Sequence, residues 1–469
     1  MYRTNWIWIP GWNAEDKDEP RIVYFRKAFD IDRVPEKLEV KISADSRYKL
    51  YVNGKLAEIG PSKGDNQVWY YDTVDLAPHL IRGKNVLAVI VLRYPLEYRK
   101  GNLSVFRTQT PGLYFTGEYA DGNGDVVSLS ADESWKCIRE PNVRLLPDSP
   151  LFSHLYIMEE ASGNPDTFGW MKTDYVDDNW LSAEVQVFQH MLIKAQSPCN
   201  LQPRSIPYMK KIPGRFKSVL VIRESGIDKS EWDSMLAGND AVTVLPNSRE
   251  VVEIDAGELM TGFLKLVVTG GKGSTIKILQ SESYVIPQKS DDPNVKLPPK
   301  KGNRLDHVKG YLEGKTDTYT VAGLGKGCDE EVYEPFWFRT FRFVRLEIAT
   351  ADEPLTIKSF DYLETGYPLE VKTWVKTSDE SMQAIWDISE RSLRRCMHET
   401  YMDCPFYEQL QYAMDTRSQI LYTYMISADD RLARKCFEDF SRSQHYDGMI
   451  SCSYPCYAYT VIPGFSIYY

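Results

Sequence analysis

No stretch of the 469-residue sequence stays apolar long enough to cross a bilayer as a helix, which takes about 20 such residues, so membrane insertion is not expected. Metal-site spacings are missing too. The eight cysteines, Cys137, Cys199, Cys328, Cys396, Cys404, Cys436, Cys452 and Cys456, form no CxxC pair and no His/Cys cluster of zinc-site spacing. Nothing therefore calls for a metal or organic cofactor. Cys452 and Cys456 are near enough in sequence for a disulfide, but buried free thiols are the commoner state in a chain of this length. Basic charge is in deficit: 56 Lys and Arg against 66 Asp and Glu leave a net charge of -10. A nucleic-acid partner, which needs basic patches, is not expected. Met1–Trp6 has neither the charged start nor the apolar core of a secretory leader. The expectation is a cytoplasmic chain, or a periplasmic or secreted one if a leader has been removed.

What is present reads as an ordinary globular protein of about three domains, 43% hydrophobic and 26% charged. Thirty tyrosines and eleven tryptophans make it rich in aromatics, which stack on sugars but are equally common in β-sheet cores. To about Val187 the pattern is of short strands punctuated by turns. Asn53-Gly54 between Tyr48–Val52 and Lys55–Ile59 is a two-residue hairpin signal, and Val86–Leu92 is a continuous apolar strand. A linker with Pro198, Pro203, Pro207 and Pro213 follows. A second β region, from about Arg215 to Gly366, has strands expected at Val251–Ile254, Phe263–Val268, Thr275–Leu279 and Arg342–Ile348. The Pro-, Lys- and Asp-rich segment 287–302 reads as a surface loop.

Helical periodicity begins near Ser378, a good N-cap, with Met382, Ile385, Trp386, Leu393, Cys396 and Met397 recurring at three-four spacing. A second helix is expected at about Glu408–Ile426 and a third at about Asp430–Ser441. Asp447, in Tyr446-Asp447-Gly448, belongs first of all to a turn dipeptide.

The densest chemistry lies in Asp403-Cys404-Pro405-Phe406-Tyr407-Glu408-Gln409-Leu410-Gln411-Tyr412-Ala413-Met414-Asp415. Pro405 is barred from a helix interior and welcome in a first turn, so Asp403 is expected as a loop or N-cap residue and Glu408 just inside the helix. Two helical turns separate Glu408 from Asp415, which would set Glu408, Tyr412 and Asp415 on one face. Leu410, Ala413, Met414, Ile420, Leu421, Tyr424 and Met425 would form a buried stripe opposite. Spacing alone makes an acidic stripe a solvated face first and a sugar-binding wall second.

The order of these residues resembles the signature of bacterial α-L-rhamnosidases, inverting glycoside hydrolases in which a DCP turn leads to an acid, an aromatic and a second aspartate. Other segments resemble the same family in the same order. They are Ala44-Asp45 with Tyr48–Gly54, Asp255-Ala256-Gly257-Glu258 with Gly262 and Glu282, and Tyr333–Phe336 with Phe341–Val344; Asp177–Trp180 resembles the closing part of a galactose-binding-like module. The resemblance implies two β-sandwich (jelly-roll-like) domains followed by the first helices of an (α/α)6 toroid. The units would be a galactose-binding-like sandwich at 1–197, a linker and second sandwich at 198–366, and the start of the toroid at 367–469. It places Glu408 on the family's general acid, and Asp403 and Asp415 on carboxylates that grip rhamnose hydroxyls. Tyr412 falls where many members carry a tryptophan against the sugar, which makes it a substrate-binding residue, and Met414 falls where many carry glycine.

The implied activity is removal of terminal α-L-rhamnose from a glycan or glycoside. For that, Glu408 must hold a proton near neutral pH, which nearby Asp403 and Asp415 and partial burial would favour. Inversion also needs a carboxylate roughly 6.5–9.5 Å away to activate water. In the family it comes from the later half of the toroid. Three or four helices are legible where a six-hairpin toroid has about twelve, so the sequence is expected to be the N-terminal part of a longer protein. Two other outcomes remain open, a toroid glycosidase of different sugar specificity and a carbohydrate-binding protein without hydrolase activity.

Overall fold

Two six-stranded antiparallel-rich sheets built from strands within residues 2–203 face one another. The computed structural model describes residues 2–12, 19–147, 157–188, 200–288, 297–325 and 329–469. One sheet runs Glu184–Phe188, Tyr2–Trp8, Gly112–Thr116, Glu39–Asp45, Trp69–Asp75, Leu201–Pro203. The other runs Leu181–Ser182, Lys136–Glu140, Arg21–Ile31, Gly83–Arg93, Arg47–Val52, Lys55–Gly60. Period-two alternation sends Val23, Phe25, Leu50, Leu87, Val89 and Val91 into a shared core with Ile42, Leu113 and Phe115 of the opposing sheet. Val86–Leu92 reads as continuously apolar because its outer face is covered as well. Val86 and Ala88 pack there under Trp170 and Trp180, and Asp177 pairs with Arg26 to pin that cover. The expected hairpin is present, with Asn53 and Gly54 both at positive φ.

The second sheet system has eleven strands. Its spine is one strand, Arg249–Gly270, rather than the two separate strands expected at Val251–Ile254 and Phe263–Val268. Its first part pairs with Arg339–Ala349 and, from Gly262 onward, it pairs with Leu355–Glu364. Register slips between Asp255 and Met260. Between them Gly257 sits at φ +92°, and such a bulge lets one strand bend and serve two partners. A helix, α1 (Lys229–Ala237), was not expected in this region. Glu231 accepts from the Asp228 backbone N–H at 3.3 Å, and left-handed Gly238 ends it. Trp232, Met235 and Leu236 of α1 join the core of Val252, Ile254, Leu264, Ile278, Leu346 and Phe360.

Strand exchange ties the two β units together. Val143–Pro147 and Ile157–Ser162 lie within the first unit's sequence but join the second sheet, where Glu160 pairs with Thr318. Leu201–Pro203, beyond the expected boundary at 197, pairs back with Trp69–Tyr71 of the first. Residues 289–296 of the expected loop 287–302, and also Cys199 and Cys328, lie outside the described residues.

The helical part comprises α2 (Ser381–Arg395), α3 (Ala413–Ile426), α4 (Arg431–Arg442) and the short α5 (Pro463–Ser466). These are the first helices of the six-hairpin toroid, following the two sandwiches. Helix α2 starts after Glu380, not Ser378, with the Asp379 carboxylate accepting from the Ser381 N–H at 3.0 Å. Leu393, Met397, Tyr401, Ile420, Leu432 and Phe440 pack with Trp6, Trp69 and Phe106, so the helices rest directly on the first sandwich. The expected buried stripe of α3 is corrected. Its inward face is Ala413, Thr416, Ile420 and Thr423, whereas Met414, Leu421, Tyr424 and Met425 are exposed. Met382, Ile385 and Ile388 of α2 are exposed likewise. Cys452 and Cys456 are buried free thiols.

Candidate active site

Asp403 opens a loop that it also closes. Its backbone N–H donates to the Leu410 carbonyl at 2.9 Å, and the Leu410 N–H donates back to Asp403 Oδ1 at 3.1 Å. Within this ring Pro405–Glu408 form a turn and Gln409 takes a left-handed conformation, φ +51°. The Gln409 N–H reaches the Cys404 carbonyl at 3.1 Å and the Glu408 N–H reaches Cys404 Sγ at 3.2 Å. The chain then runs extended to Tyr412, which bridges to Ser453 and caps α3. The expected helix start at Glu408 is therefore wrong by five residues. A left-handed Gln409 cannot propagate an α-helix, and Glu408, Tyr412 and Asp415 do not form one helical face.

The loop nevertheless brings most of these groups together by another route. Tyr412 Oη donates to Glu408 Oε2 at 2.5 Å. Burial, that hydrogen bond and the charges of Glu408 and Asp403 push the Tyr412 phenol far above its ordinary range, so it remains a donor. Burial raises the Asp403 carboxyl above the usual carboxylate range; its hydrogen bonds oppose this and the Glu408 charge adds to it. Asp415 stands exposed in the first turn of α3. Cys396 Sγ lies 3.9 Å from the Asp403 carbonyl oxygen, and burial pushes its thiol up to about 12, with the charges of Cys404, Asp403 and Asp415 adding to it. The Tyr412 ring meets Phe465 of α5 edge-on, with centroids 6.4 Å apart. Asp447 accepts from the Met449 N–H at 3.0 Å, within its own turn.

Several neighbours of the loop went unread in the sequence. Buried Gln409 donates through Nε2 to the Pro405 carbonyl at 2.9 Å and accepts from Trp337 Nε1 at 3.1 Å. Thr340 Oγ1 donates to the same Pro405 carbonyl at 2.6 Å. Lys301 of the second sandwich reaches Tyr407 Oη at 2.8 Å and Glu282 at 3.2 Å. A Trp just before a strand, a Thr on it, or a Gln in a turn carries no local mark of such contacts. Among the described residues no three His, Cys, Asp or Glu side chains converge to hold a metal ion. A narrow cleft lined by Arg47, Glu58, Phe263, Trp337, His398 and Glu399 lies behind the loop, apart from the three carboxylates.

Residues 246–363 match the family described as the bacterial α-L-rhamnosidase concanavalin-like domain. Residues 370–465 match the bacterial α-L-rhamnosidase 6 hairpin glycosidase domain. An α-L-rhamnosidase of Streptomyces avermitilis is 23% identical over 313 residues, covering 64% of this chain and 24% of its own. Among solved structures, a GH78 family rhamnosidase of a Bacillus species superposes with a TM-score of 0.75 at 16% identity, over 100% of this chain and 66% of that one. The Streptomyces avermitilis α-L-rhamnosidase complexed with L-rhamnose gives 0.62 at 18% identity, over 93% of this chain and 38% of that one. The chain thus spans about a quarter of the curated relative and less than two thirds of these solved chains.

Proposed function

The chain belongs to the bacterial α-L-rhamnosidase family, and on that premise we propose that the complete protein removes terminal α-L-rhamnose from glycans or glycosides with inversion, Glu408 being the proton donor. The observation that carries this reading is the Tyr412 hydroxyl donating to Glu408 Oε2 in a loop closed by Asp403. With Oε2 occupied as an acceptor, Oε1 is the oxygen left to carry the proton. That proton passes to the glycosidic oxygen as the bond to the anomeric carbon breaks, and water adds from the opposite face of the ring. The water's proton goes to a carboxylate on the toroid wall facing Glu408. Asp403 and Asp415 accept hydrogen bonds from the sugar hydroxyls, as carboxylates do well, and Tyr412 aims the acid. In this reading residues 1–197 are a galactose-binding-like sandwich, 198–366 the linker and second sandwich, and 367–469 the opening of the catalytic toroid.

The test is release of p-nitrophenol from the aryl α-L-rhamnoside by the complete protein. Glu408→Gln lowers kcat by about a hundredfold or more, the usual worth of a positioned acid. Proton NMR of the first product shows β-L-rhamnose. Unaltered turnover in the variant, or an α product, overturns the assignment.

A further inference from the structure

We infer that Trp337 and Gln409 are positioning residues that fasten the proton-donor loop to the second sandwich; this rests on the reading of Glu408 as the donor. Gln409 follows Glu408 directly and is 1% exposed. Its left-handed backbone, φ +51°, is one that a residue other than glycine seldom adopts unless its surroundings hold it there. Both ends of its side chain are engaged. An indole N–H can only donate, so the Trp337 bond fixes Oε1 toward the indole and Nε2 toward the Pro405 carbonyl. Thr340, on the strand that Trp337 leads into, adds its hydroxyl to that carbonyl. The turn that presents Glu408 is thereby gripped at Pro405 and Gln409 by one short segment of the second sandwich.

Trp337 is itself braced. It is 6% exposed, and the Arg47 guanidinium of the first sandwich lies 4.8 Å from its ring centroid. Arg47 in turn forks onto Glu399 at 2.7 and 2.8 Å. Glu399 belongs to the segment between α2 and the loop. The indole therefore sits where both sandwiches and the helical part meet. Reversal of the chain at Gln409 is what lets Tyr412 face back onto Glu408. A Gln409 released into a right-handed conformation would turn the acid away from its tyrosine and from the leaving oxygen.

An acid held out of place matters most when the leaving group needs its proton. Trp337→Phe keeps a ring beneath Arg47 and removes the donor. In the complete protein this variant is expected to lose about tenfold in kcat on methyl α-L-rhamnoside, with KM unchanged, and much less on the 2,4-dinitrophenyl glycoside. Thr340→Val shifts kcat in the same direction to a smaller degree, and covers the case in which Trp337→Phe fails to fold. Equal losses on the two substrates, or none, overturn the inference. A second readout does not need activity. Cys404 is half-buried, and its Sγ accepts the Glu408 N–H. Alkylation of Cys404, followed by peptide mass spectrometry, is expected to quicken severalfold in Trp337→Phe, and an unchanged rate overturns the tether. Should the wild-type protein prove inactive on every rhamnoside, the functional reading fails while the Cys404 rates still decide whether Trp337 holds the loop.

Discussion

His398 and Glu399 are adjacent and buried, and acid would charge the one and neutralise the other. Burial holds the His398 imidazole neutral, down to about 3 from an ordinary 6.5, against the pull of the Glu399 carboxylate. Its ring stacks on Phe338 at 4.6 Å and its Nε2 meets Thr365 Oγ1 at 3.2 Å. Burial by itself would raise Glu399, but the Arg47 guanidinium outweighs it and brings the carboxyl to about 2 from 4.5. As pH falls from about 6.5 toward 3, the unfolded chain gains a proton at His398 that the folded one refuses. Stability drops there by up to about 1.4 kcal/mol per pH unit. Glu399 contributes stability that is present above its ordinary 4.5 and is lost as pH falls through about 2. Between pH 6.5 and 4.5 the slope thus belongs to His398 rather than Glu399. His398→Gln, which keeps a polar contact for Thr365 and cannot charge, is expected to flatten melting temperature against pH over that interval. The same slope in variant and wild type would mean that His398 is not the group refusing the proton.

Among elements, the strand Arg249–Gly270 depends most on a single position. The Asp255 carboxylate accepts the Gly257 N–H at 2.7 Å, and the bulge it closes presents Glu258 to Arg395 at 3.0 Å and Arg391 at 3.4 Å on α2. A Cβ at Gly257 would meet the Lys217 side chain at 3.5 Å, an ordinary contact, so the objection to one is the backbone at φ +92°. Gly257→Val is expected to lower stability by about 1–3 kcal/mol, read as an earlier denaturant midpoint. An unshifted midpoint would show that the bulge relaxes freely. Asp255–Glu258 stood out in the sequence, but not as a bulge, because register is settled by a strand some 90 residues on. Contacts 72 and 65 residues apart likewise explain the misplaced start of α3. Pro405 in a first turn is sound locally, and what defeats it is Gln409 held by Trp337 and the Pro405 carbonyl held by Thr340. Strands that obey period two, such as Arg21–Ile31, and the Asn53-Gly54 hairpin were legible because their determinants lie within a few residues. The Asp228–Glu231 pair and Gly238 were equally local marks of α1, passed over within a region that otherwise read as strands.

At the scale of the molecule, the order of two sandwiches and then helices was readable, but their docking was not, because it runs through charge pairs hundreds of residues apart. Arg47 of the first sandwich forks onto Glu399, Arg442 of α4 reaches Asp65 at 2.6 Å, and Lys49 pairs with Glu334 of the second sandwich. Arg47 and Glu399 are each 1% exposed, and the Lys63 N–H donates to Glu399 as well, at 3.2 Å. A charge so enclosed is costly once its partner is gone. Arg47→Met leaves the Glu399 carboxylate buried without its fork, and Glu399→Leu leaves the guanidinium; each is expected to destabilise by about 3–5 kcal/mol. The double variant has no charge left to strand, so its loss is expected to fall well short of the sum of the two singles. Arg47→Lys keeps a charge without the bidentate geometry and lies between wild type and Arg47→Met. Denaturant midpoints of wild type, the two single variants and the double, taken on the transition that exposes the junction, measure the coupling. Strict additivity would mean that the pair is a bystander, and that apolar contacts such as Trp6, Trp69 and Phe106 against Met397 and Tyr401 hold the helices to the sandwich without it.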